Sequence, residues 1–149
     1  MTAFVAEAKA ALKTSQPGAE LGIFMVPDLD GRTEPLTGQR LEALAPLADW
    51  ISPMLYHNIL LQPPSWIGGR ISEVARVAGG KTLPVVQADS NRDPLLAADW
   101  GPPMPIAAWQ AALSEVEASV GVAGLIVFPG TSLLDDGRGG ALRAMLKRG

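Results

Sequence analysis

Each apolar run of strand length in this chain ends beside side chains that can do chemistry. Asp28 follows the run 21–26, and Tyr56 and His57 close the run 50–57. Gln87 ends the run 82–87, with Asp89 just beyond it, and Phe128 ends the run 122–128. Two carboxylates at one end of a sheet can divide acid and base work when their environments separate their pKa values. His57, the single histidine, could move a proton near neutral pH. The catalytic candidates are therefore His57, Asp28 and Asp89. The binding candidates are Tyr56, Gln87, Asp89, Trp100 and Phe128: Gln87 lies close enough to the sheet to hydrogen-bond a ligand hydroxyl, and Trp100, in a Gly-Pro-rich loop, is free to stack on the apolar face of a ring.

Every candidate also has an ordinary structural use. An aspartate just past a strand commonly caps the following turn. A lone histidine after a strand is often a hydrogen-bonding group of the fold, and a half-buried tyrosine often needs only a partner for its hydroxyl. No metal is expected, because cysteine is absent and there is no second histidine. No cofactor is expected either. Gly68-Gly69 and Gly79-Gly80 flank a helix without the Gly-x-Gly-x-x-Gly spacing, no phosphate loop is present, and neither Ser52 nor Ser132 has a nucleophile-elbow context.

The elements that must position these residues alternate. Thr2 can cap a first helix carrying Phe4, Val5, Ala8, Ala11 and Leu12, which Pro17-Gly18 stops. The run 21–26 reads as a buried strand, Leu41, Leu44, Ala45 and Leu47 as a second helix, and 50–57 as the next strand. Pro53 inside it implies an interrupted ladder, a bulge or a bend that could re-aim Tyr56 and His57. Ser65 can cap a helix bearing Ile67, Ile71 and Val74, ended by Gly79-Gly80. After the strand 82–87 comes a helix with Ile106, Trp109, Leu113 and Val116. The strand 122–128, a solvated turn at Asp135-Asp136-Gly137 and a helix over 141–147 complete the order.

Alternating buried strands and helices imply an α/β fold with a parallel sheet and right-handed crossovers, within one domain spanning 1–149. The repeat matches a (β/α)8 TIM-barrel-like fold, which takes about 250 residues, so four units make half a barrel. A barrel begins on a strand, whereas this chain opens on a helix, as if preceding strands were missing. Charged residues are only 18%, and the mean hydropathy is +0.19, apolar for a self-sufficient monomer. The net charge of -3, with no basic stripe, argues against nucleic acid as a partner. No signal peptide or membrane span is visible, so the chain as given reads as soluble and not membrane-bound: cytoplasmic as it stands, secreted if an upstream segment was removed.

The runs Trp50-Ile-Ser-Pro-Met-Leu-Tyr-His, Thr82-Leu-Pro-Val-Val-Gln and Leu125-Ile-Val-Phe resemble the later strands of a group of uncharacterised bacterial glycosyl-hydrolase-like proteins, which are more distantly similar to the family 18 chitinase barrel. In that larger group the sixth strand ends in Met-x-Tyr, matched by Met54-Leu55-Tyr56, and the tyrosine supports the sugar. The resemblance covers nearly the whole chain but only strands five to eight of the fold, and it implies a carbohydrate ligand. The chain departs from the pattern where chemistry is concerned. The fourth-strand run of aspartates ending in the acid glutamate is missing, His57 stands where an aspartate is common, and Phe128 stands where a tryptophan would floor the site.

Two functions follow from these observations. One is a glycoside-hydrolase-like carbohydrate-active domain, catalytically incomplete alone, whose general acid lies elsewhere. The other is a non-catalytic carbohydrate-binding or structural half-barrel. In both, the exposed edges of a four-stranded parallel sheet, at 21–26 and 122–128, predict a homodimer or association with an amino-terminal half-barrel.

Overall fold

In a computed structural model, which describes residues 1–29, 33–89, 101–134 and 136–148, four parallel strands lie side by side in chain order. They are β1 (Gly22–Met25), β2 (Trp50–Leu55), β3 (Val85–Gln87) and β4 (Ile126–Phe128). Each strand pairs with the next, so the sheet is singly wound and compatible with half of a barrel. The helices are α1 (Thr2–Ser15), α2 (Thr33–Thr37), α3 (Leu41–Leu44), α4 (Trp66–Ala78), α5 (Ile106–Ala118) and α6 (Asp136–Leu146).

Alternation along the strands sorts their side chains into two faces. On one, Leu55 and Val86 join Ile67 and Ile71 of α4 and Trp109 and Leu113 of α5 in the main core. Met25 and Ile51, with Leu44, Ala45 and Ala78, form a second cluster beside it. The helix patterns explain this packing: α4 buries Ile67 and Ile71, and α5 buries Trp109, Ala112, Leu113 and Val116, each set spaced to share one stripe. The other face carries in-register rows. Met54, Val85 and Ile126 form one, and Gln87 and Phe128, with Tyr56 level beside them, form the next. Phe24 lies opposite Ser52 in the row below. Phe24 remains 55% exposed and Phe128 37%.

Prolines trimmed the expected elements. The second helix was expected to reach Leu47 but ends at Leu44, because Pro46 has no N–H to continue it. The third strand was expected from Thr82. Thr82 does bridge Ile51 and Val122, but the strand itself begins at Val85, after Pro84, whose missing N–H breaks the ladder. Pro53, by contrast, stays within β2, buried opposite Met25. It is the last residue of β2 paired with β1; Met54 and Leu55 pair with β3 instead. The ladder to β1 therefore ends at the proline, while contact on the β3 side, begun at the Ile51–Thr82 bridge, continues through Leu55. Thr2 begins α1 as its first helical residue without a side-chain cap, and α1 buries no residue. The expected turn at Asp136-Gly137 is already the first turn of α6, and Asp135 lies outside the described residues. The sequence reading contained no counterpart of α2, whose single turn is too short to show a period.

The outer edge of β1 is not bare. The Gln39 carboxamide donates from Nε2 to the Phe24 carbonyl (2.9 Å) and accepts from the Val26 N–H at Oε1 (2.8 Å). Residues i and i+2 of a parallel strand would offer that same acceptor and donor to a neighbouring strand. Gln39 thus closes the edge over Phe24 and Val26, while β4 has no neighbour on its outer side among the described residues. Gln39→Ala should lower stability by about 1 kcal/mol and increase self-association through the reopened edge. Chemical denaturation combined with light scattering checks both, and an unchanged mass distribution would show that the edge needs no guard.

Candidate functional site

The strand register brings Tyr56, Gln87 and Phe128 together at the carboxyl ends of β2, β3 and β4. Parallel partners point the same way, so the three side chains share the face opposite the helices. Tyr56 and Phe128 stack over the intervening strand, their ring centroids 5.4 Å apart and their planes 25° from parallel. The Tyr56 hydroxyl makes no hydrogen bond to a described residue, and burial raises its pKa above the usual phenol value. Gln87 is fully buried. Its Oε1 accepts from the Ile59 N–H (3.1 Å) and its Nε2 donates to the Asp89 carbonyl (3.0 Å). The carboxamide expected to meet a ligand therefore joins the loop after β2 to the loop after β3, and it positions its neighbours.

His57 sits in a tight turn. Its N–H donates to the Leu55 carbonyl (2.9 Å), and its carbonyl accepts from the Gln62 N–H (2.8 Å). Leu61, a residue with a side chain at φ 53, closes the turn in the left-handed region. Asn58 donates through Nδ2 to the Pro102 carbonyl (2.7 Å). Against it lies Gly101, at φ +79, where an added Cβ would come within 2.5 Å of the Asn58 carbonyl oxygen. Both the dihedral and the close approach require glycine there. His57 is 2% exposed, and neither ring nitrogen has a described partner. Desolvation outweighs the backbone contact to Leu55 and holds its pKa below the ordinary value.

The two candidate carboxylates are placed apart and used differently. Asp28, exposed beyond β1, accepts from the Thr33 N–H (3.3 Å) ahead of α2, the turn-capping use open to an aspartate. Asp89 is 4% exposed and ion-paired with Arg138, whose Nη2 lies 3.0 Å from Oδ1. The same guanidinium donates from Nε to the Ala88 carbonyl (3.0 Å) and from Nη2 to the Met104 carbonyl (2.6 Å). Arg138 is the residue that sequence reading missed. The one available signal was its glycine setting: Gly139 must be glycine because a Cβ there would lie 2.4 Å from the Leu133 carbonyl oxygen. Trp100 lies outside the described residues. Among the described residues no group of three His, Cys, Asp or Glu side chains converges to hold a metal. No described helix is long and apolar enough to cross a membrane.

The site therefore offers an aromatic pair with one unengaged hydroxyl, braced by a buried amide and a buried ion pair. No protein-family model matches this sequence, and no curated protein does.

The His57 environment generates a pH prediction. The unfolded chain binds a proton near the ordinary imidazole value of 6.5, whereas the folded chain resists it to lower pH. Between those values the unfolded state holds more protons, so stability falls as pH drops. The melting temperature should decline from pH 7.5 to pH 5 on the order of a few degrees, and His57→Phe should flatten that decline. An equal slope in the variant would assign the dependence to other groups.

Proposed function

We propose that this chain is the ligand-binding wall of a glycoside-hydrolase-like, carbohydrate-active (β/α)8 barrel, contributing its last four strands. On this reading the carboxylic acid that would protonate a glycosidic oxygen comes from outside residues 1–149. The observation that supports it best is the Tyr56–Phe128 pair at the carboxyl ends of the strands, because barrels build their sites at that end and stacked rings suit the apolar face of a sugar. The placement of the carboxylates fits binding better than hydrolysis by the isolated chain: Asp89 is committed to Arg138 and Asp28 to a turn. Tyr56 would offer its hydroxyl to the ligand and Phe128 its exposed ring. Gln87, His57 and Asp89 would hold the loops that frame them.

Titrating the chain with chitotetraose and cellotetraose while following amide resonances tests this reading. Saturable shifts are expected around Tyr56 and Phe128, with Phe128→Ala weakening binding roughly tenfold, the scale of one lost aromatic contact. No saturable shift at millimolar ligand, or shifts confined to the opposite ends of the strands, would sink it.

A second reading, a non-catalytic half-barrel that assembles with another copy or with an amino-terminal half, is favoured by the row of apolar side chains facing away from the helices. Phe24 and Phe128 are exposed on that face, beside a β4 edge with no described neighbour. Light scattering should then give a dimer of the 15.6 kDa chain, or aggregates that an upstream half-barrel relieves. A cooperatively melting monomer would refute it.

A further inference from the structure

We draw no further inference here: the strongest candidate, the apolar groove beside the start of β4 between the carboxyl ends of α5 and α6, lined by Val116, Val122, Leu125, Met145 and Leu146, is an unpartnered face, and nothing in the structure shows what covers it.

Discussion

The Arg138 guanidinium is the contact on which the carboxyl end of this sheet depends. From the first turn of α6 it reaches the Ala88 carbonyl, the Asp89 carboxylate and the Met104 carbonyl, at sequence separations of 50, 49 and 34 residues. The backbone of the same residue accepts from Trp109 Nε1 (3.2 Å), so the first turn of α5 is tied to it as well. Both charges are almost wholly buried. A buried pair adds little over a well-packed apolar substitute, yet losing one partner leaves the other charge stranded, at a cost of about 3–5 kcal/mol. What this pair secures is position: the end of β3, the entry to α5 and the start of α6 can meet in one way only.

From that anchor the order propagates across the sheet. Asp89, held by Arg138, offers its carbonyl to Gln87, and Gln87 holds Ile59. Ile59 belongs to the turn in which His57 is buried, and Asn58 returns the connection to Pro102. From Arg138 to Gln87 the contacts run through buried polar groups, where a half-satisfied network costs more than an apolar core, while the links on to Ile59 and Pro102 lie nearer the surface. The network can be complete only if the loops after β2 and β3 are placed together. The Tyr56–Phe128 stack rests on top of these contacts and inherits their rigidity.

The sequence made some of this plain and hid the rest for a physical reason. The apolar runs, the parallel alternation and the stripes of α4 and α5 were legible because they are local patterns of period 2 and 3.6. The position of Tyr56 and Phe128 at strand ends was legible too. Their stacking was not, since it depends on register across two strand pairs. Gln39, Gln87 and Arg138 were opaque as positioning residues, because all their described partners but one, the Asp89 carbonyl beside Gln87, lie 13 to 50 residues away. A side chain that pairs with distant backbone leaves no period. Pro46 and Pro84 were visible in the sequence, but their effect on element length was misjudged, whereas Pro53 was tolerated at the last residue of β2 paired with β1.

The fate of the carboxylates bears on what such a sheet can do. A general acid or base must reach a ligand atom within hydrogen-bond distance. Asp89 is enclosed with its guanidinium, and Asp28 sits at the mouth of α2 on the helix side of β1. His57 faces no described acceptor or donor, and burial disfavours its charged form. The two carboxylates thus hold loops and His57 is buried, and among the described residues the exposed side chains on the open face are apolar rings and aliphatic groups beside the Tyr56 hydroxyl. Such a surface can bind and orient a ring. Among the described residues no carboxyl group stands free on that face beside the Tyr56–Phe128 pair, so bond cleavage there would need one supplied from outside them.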